Sequence, residues 1–141
     1  MRKMTIKFDT ETIRLMTLFE NITGSSVKDC IVEENTVYFV VEEGKLGIAI
    51  GRNGNSVKNA ESVINKVIKL YEFSNDLNRF VKNLIPKATG VTINNDGDRI
   101  VVEAKVEKSD RPMVIGRDAK NLKICKELLK RSHNVSDLII R

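Results

Sequence analysis

A stretch of 20 residues recurs in this chain. Segment Gly47–Lys66 (GIAIGRNGNSVKNAESVINK) aligns without gaps on segment Pro112–Arg131 (PMVIGRDAKNLKICKELLKR), 65 residues further on. Ile50-Gly51-Arg52 falls on Ile115-Gly116-Arg117. Val57, Lys58, Ala60, Val63 and Ile64 fall on Leu122, Lys123, Cys125, Leu128 and Leu129. Two copies at so long a spacing exclude a solenoid, which stacks three or more units. The simplest solution is two homologous domains, expected at 1–74 and 75–141. Modules this small bury only about 60% of their chain surface. The connection Ser74-Asn75-Asp76 holds neither glycine nor proline, so the two are expected to pack as a semi-rigid pair.

Each copy reads in the same order. In the first, Asp9 can cap a helix carrying Leu15, Leu18, Phe19 and Ile22 at helical spacing, ended by Gly24-Ser25-Ser26. Strand-like runs Val27–Val32 and Thr36–Val41 follow, joined by a turn at Glu33-Glu34-Asn35. The segment Lys45–Ile50 leads to Gly51, and a helix then sets Val57, Ala60, Ile64 and Val67 on one face. A β-favouring stretch, Val67–Phe73, closes the module. In the second, a helix at Asp76–Ile85 stops at Pro86. Strands are expected at Ala88–Ile93 and Arg99–Val106, with a turn over Asn95-Asp96-Gly97-Asp98. A short helix starts near Pro112, a longer one spans Lys120–Arg131, and a last strand covers Val135–Ile140. The class is α+β, αββααβ in each unit, with a three-stranded sheet packed against helices.

Gly51-Arg52-Asn53-Gly54 brackets two polar residues with glycines at a junction between helices. Glycine turns the backbone tightly and removes the Cβ that would hold a sugar-phosphate chain at a distance. The next helix points free N–H groups and its positive dipole end at the same place. Arg52 adds charge, and Lys58 extends it. The second copy departs from this pattern, because Gly116-Arg117-Asp118-Ala119 has alanine in place of the last glycine. Alanine accepts a positive φ poorly, which predicts a tighter loop. Asp118 brings a negative charge and is a candidate cap for the following helix. Against that stand Lys120, Lys123, Lys126, Lys130 and Arg131, several of them on one helical face.

An apolar-Ile-Gly-x-x-Gly element between two helices, preceded by two strands, resembles the KH domain, whose GxxG loop clamps backbone nucleotides. The αββααβ order resembles the type II arrangement. Two such modules in tandem resemble the KH pair of the NusA transcription factor family, most of all its short archaeal-type members, over nearly the whole chain. AIGRNG and its repeat partner VIGRDA carry the likeness most specifically. The resemblance implies single-stranded RNA as partner and a role in transcription elongation or termination, with RNA polymerase or the ribosome as further partners. It places the RNA contacts at Gly51, Arg52, Asn53, Gly54 and Lys58, and at Gly116, Arg117, Lys120 and Lys123. Backbone N–H groups of Arg52, Asn53 and Gly54 would hold phosphates, and bases would face Ile48, Ile50 and Val57.

Composition narrows the alternatives. Aromatic residues make up 5% of the chain and tryptophan is absent, whereas RRM and OB-fold modules stack bases on exposed aromatics. The net charge of +5 is uneven: residues 1–72 hold 10 Lys/Arg and 10 Asp/Glu, residues 73–141 hold 14 and 9. Cys30 and Cys125 stand in apolar settings, where free thiols acting as small core hydrophobes are favoured over a disulfide. With one histidine, His133, and no CxxC pair, neither a metal site nor a cofactor is expected. No nucleophile, acid/base pair or Walker loop argues for an enzyme; Glu42-Glu43, at a strand end, is expected to be solvated. The start MRKMTIKFDTET has no apolar stretch behind its basic residues, and no run approaches the ~20 apolar residues of a membrane span. A cytoplasmic monomer without membrane contact is expected. The rival function is a docking platform, on which the KH fold serves as a protein surface in ribosome or polymerase assembly.

Overall fold

The computed structural model describes residues 10–141; the expected cap Asp9 and the neighbouring Phe8 lie outside the described residues. The chain divides into two compact units, Met1–Ser74 and Asn75–Arg141. In the first, α1 (Thr10–Thr23) precedes β1 (Val27–Glu33) and β2 (Thr36–Val41). Then come α2 (Leu46–Ile50), α3 (Asn55–Ile64) and β3 (Val67–Glu72). In the second, α4 (Leu77–Leu84), β4 (Ala88–Asp96), β5 (Arg99–Val106), α5 (Arg111–Ile115), α6 (Lys120–His133) and β6 (Asp137–Ile140) repeat the order.

Each unit has one three-stranded sheet, ordered β1-β2-β3 and β4-β5-β6. The first two strands of each are antiparallel and the last is parallel to the central one. A parallel partner requires a crossover, and α2–α3 and α5–α6 supply it. That crossover carries the loop of interest from one helix to the next.

Alternation along β2 sends Val37, Phe39 and Val41 into a core shared with Leu15 and Phe19 of α1, Cys30 of β1, Ala49 of α2, Ala60 of α3 and Ile68 of β3. The rings of Phe19 and Phe39 stack, with centroids 4.3 Å apart. In the second unit Phe80, Val81 and Leu84 of α4 are buried, as are Val102 and Ala104 of β5, Ile124, Cys125, Leu128 and Leu129 of α6, and Leu138 of β6. Both cysteines are buried and neither forms a disulfide. Burial pushes the Cys125 thiol up to about 12, so it packs as a small neutral hydrophobe.

Several boundaries differ from expectation. Helix α3 stops at Ile64 because Asn65 takes a left-handed conformation (φ 62, ψ 41), a common way to end a helix. Val67 therefore leaves the helical face and opens β3, 46% exposed. Helix α6 runs two residues past Arg131 to His133, where Asn134 ends it in the same way (φ 57, ψ 35). Strand β4 continues to Asp96 because the ladder pairs Asn94 with Val101, Asn95 with Ile100 and Asp96 with Arg99. Pairing outweighs the poor strand propensity of Asn and Asp, and the turn shrinks to Gly97-Asp98. Strand β6 begins only at Asp137.

Candidate nucleic-acid interface

The two helix–loop–helix junctions have nearly the same backbone. Helix α2 ends at Gly51 (φ 78, ψ 173), Asn53 is left-handed (φ 55, ψ 28), and Gly54 (φ 74, ψ 15) opens α3. In the second unit the series is Gly116 (φ 82, ψ 171), Asp118 (φ 55, ψ 29) and Ala119 (φ 61, ψ 25). The expected tightening at alanine is therefore not found. Ala119 accepts the left-handed conformation, at a strain of about 1–2 kcal/mol for an L-residue. Asp118 is not the cap either: Ala119 occupies that position, and no side chain there bonds the helix end.

Hydrogen bonds explain why both loops close alike. Gly51 N–H donates to the Gly47 carbonyl and Gly116 N–H to the Pro112 carbonyl, each at 2.9 Å. Gly54 N–H donates to the Gly51 carbonyl and Ala119 N–H to the Gly116 carbonyl, each at 3.1 Å. The Gly54 N–H, expected to reach for a ligand, is thus spent inside the loop.

The first glycine of each loop is fixed by space as well as by φ. A Cβ on Gly51 would lie 2.8 Å from the Ser56 backbone nitrogen, and one on Gly116 would lie 2.8 Å from Asn121 Nδ2. Asn121 has a second task, since its Nδ2 donates to the Met113 carbonyl at 3.0 Å and so ties α6 to α5. Ser56 and Asn121 were not singled out from the sequence, although their equivalence in the repeat marks them.

In the first unit the predicted groups come together. Arg52, Asn53 and Lys58 are exposed. A Cβ on Gly54 would meet only Lys58 Cε, at 3.7 Å, so the lysine stem lies alongside the loop. Ile48 (47%) and Ile50 (38%) stand exposed on α2, whereas Val57 is half-buried and packs against the core. In the second unit Arg117 and Lys123 are exposed, Lys120 is half-buried, and Met113 takes the place of Ile48, 57% exposed. The basic face of α6 is smaller than its sequence suggests. Lys126 pairs with Asp137 at 3.2 Å, and Arg131 pairs with Glu127 at 3.0 Å. Burial tends to raise the Asp137 carboxyl, but it ends below its usual value: Lys126 and the Leu138 N–H bond it, and the charges of Lys126 and Arg99 add to them.

His133 lies away from the loops, its Nδ1 2.8 Å from Ser132 Oγ and its Nε2 3.2 Å from the Asn75 carbonyl oxygen. Among the described residues no cluster of three His, Cys, Asp or Glu could hold a metal ion. No helix there is long and apolar enough to cross a membrane.

The KH domain family matches residues 14–75, which takes in the whole first helix–loop–helix junction. The protein called "Probable transcription termination protein NusA" in Methanococcus vannielii is 36% identical over 137 residues, covering 96% of this chain and 79% of that protein. The chain belongs to the archaeal NusA-like KH family. A protein of the same description from Halococcus morrhuae is 30% identical and covers 96% of this NusA-like chain and 98% of its own length. A crystal structure described as that of APE1850 superposes with a TM-score of 0.77 at 35% identity, covering 95% of this chain and all of that one.

Proposed function

We propose that this chain is a single-stranded RNA-binding protein made of two tandem type II KH domains, 1–74 and 75–141, with no enzymatic activity of its own. The first loop grips the strand. The N–H groups of Arg52 and Asn53 and the side chains of Arg52 and Lys58 meet phosphates, while Ile48 and Ile50 offer an apolar wall to bases. Gly116, Arg117, Lys120 and Lys123 form the corresponding contact in the second domain. The observation that carries this reading is the repeated loop backbone, in which an exposed arginine tops a glycine-opened turn, with Ile48 and Ile50 exposed on the preceding helix in the first unit and Met113 in the second. Its relatives' names refer to transcription termination, and nascent RNA beside RNA polymerase is the ligand we assign to it, in the cytoplasm.

The test is binding of random-sequence single-stranded RNA at two salt concentrations by the wild type and by Arg52→Ala/Lys58→Ala. Both side chains are exposed, so the variant keeps its circular dichroism spectrum and melting temperature. Wild-type affinity should fall with salt, with a log–log slope of about −0.7 per phosphate contacted, and the variant should bind at least about tenfold more weakly, or 1.4 kcal/mol. Unchanged binding by the variant would move the primary site to the second domain. No binding by either protein would favour a docking platform for polymerase or ribosome assembly.

A further inference from the structure

Asn53 is the only asparagine of this chain that glycine follows, and that pairing carries a reaction of its own. Once deprotonated, the backbone nitrogen after an asparagine can attack the side-chain amide carbon. Glycine hinders the attack least, because it has no Cβ and turns freely. The new N–C bond closes a succinimide ring, and the side-chain nitrogen leaves as ammonia. Water then opens either carbonyl of the ring and leaves aspartate or isoaspartate.

The loop leaves this pair accessible. Asn53 is exposed and left-handed (φ 55, ψ 28), a conformation that asparagine tolerates better than most residues. A Cβ on Gly54 would meet only Lys58 Cε, at 3.7 Å, so little crowds the attacking nitrogen. One bond stands in the way, the donation of the Gly54 N–H to the Gly51 carbonyl at 3.1 Å. That bond lies at the long end of the usual range and closes only a single turn, so local opening frees the nitrogen. Gly54 also precedes α3 directly, and the positive end of that helix favours negative charge there.

The repeat shows what the product does to the fold. Asp118 holds the matching position with the same backbone (φ 55, ψ 29), so a carboxylate is carried there without altering the loop. Conversion to aspartate therefore changes charge and not shape. Arg52 is the one charged residue between Gly51 and Gly54, and a carboxylate beside it formally cancels its charge. Isoaspartate does more, since it adds a carbon to the main chain inside the loop.

We infer that Asn53-Gly54 is a site of spontaneous deamidation that weakens the grip of the first loop on RNA, at a rate set by loop opening. The chemistry stands by itself, whereas its effect on affinity rests on the RNA-binding reading above. RNA seated on the loop holds it closed and slows the conversion. The second loop, with Asp118 and Ala119 in these places, has no amide to lose.

The experiment ages the full chain at mildly alkaline pH, with and without random-sequence single-stranded RNA, and follows each asparagine by peptide mapping. Tandem mass spectrometry of the peptide carrying Asn53, Asn55 and Asn59 supplies internal comparisons. Position 53 should convert first, and more slowly both in Gly54→Ala and with RNA bound. Conversion there no faster than at Asn55 overturns the site, and so does a rate that Gly54→Ala leaves unchanged. Asn53→Asp, which mimics one product, should melt as the wild type does. It should bind RNA at least about threefold more weakly, the size of the repulsion between two unit charges about 6 Å apart in water. Equal affinity in that variant overturns the loss of grip, and an RNA complex that ages as fast as the free chain overturns the control by loop opening. A wild type that binds no RNA yet still converts at position 53 defeats the RNA-binding reading and leaves the modification site standing.

Discussion

The methyl group of Ala119 stands on a backbone that the first loop builds with glycine. Because the dihedral angles match, the second loop carries strain that the first does not. Ala119→Gly should relieve it and stabilise the protein by about 0.5–1 kcal/mol, the left-handed strain less the extra chain entropy of glycine. Gly51→Ala should do the reverse, losing about 1–3 kcal/mol, since its Cβ would press on Ser56. Urea midpoints of the two variants measure both effects; equal midpoints would show that these backbone angles carry no strain. At this scale the sequence displayed the odd residue but not its consequence. Alanine at a glycine position signals either a changed loop or a strained one, and only φ distinguishes them.

Helix-to-strand entry is solved differently in the two units. In the first, Glu61 Oε2 of α3 accepts the Ile68 N–H of β3 at 2.9 Å. In the second, the repeat places Lys126 where Glu61 stands. Asp137 Oδ1 accepts the Leu138 N–H at 2.8 Å while Lys126 holds Asp137. Either way, a carboxylate satisfies the N–H that begins the inward-facing part of the strand. Charge-assisted bonds of this kind are worth about 1.5–3 kcal/mol, so Glu61→Ala should lower the stability of the folded chain by that order in urea denaturation. A loss below about 0.5 kcal/mol would mean that water replaces the carboxylate freely. The order of elements was legible because apolar spacing changes from 3.6 to 2 at each transition. Element ends were less so: Asn65 and Asn134 stop helices through a dihedral angle, and nothing in their neighbours' hydropathy marks it. Pairings across elements, such as Lys126 with Asp137, were invisible to spacing within one helix, and α6 therefore looked more basic than it is.

Across the whole molecule, charge and loop quality are distributed in opposite senses. Residues 1–72 balance 10 basic against 10 acidic residues and hold the loop with both glycines; residues 73–141 carry the whole excess, 14 against 9. A neutral domain whose loop lacks the Ala119 methyl group is suited to close contact, whereas a basic domain acts over a Debye length of about 8 Å at physiological salt. The second domain should therefore contribute field more than sequence readout. Arg117 and Lys123 are both exposed and form none of the ion pairs that occupy Lys126 and Arg131. In Arg117→Ala/Lys123→Ala the slope of log affinity against log salt should become shallower by about 0.7 for each lost phosphate contact. Affinity should drop by a similar factor for every RNA sequence tried, because phosphate contacts position a strand without reading it. Titrations of several unrelated single-stranded RNAs at three salt concentrations separate the cases. A uniform loss with a shallower slope assigns the second domain to electrostatic capture, and a loss confined to some sequences would make its groove a reader of bases. An unchanged slope would leave the first domain to hold the strand by itself.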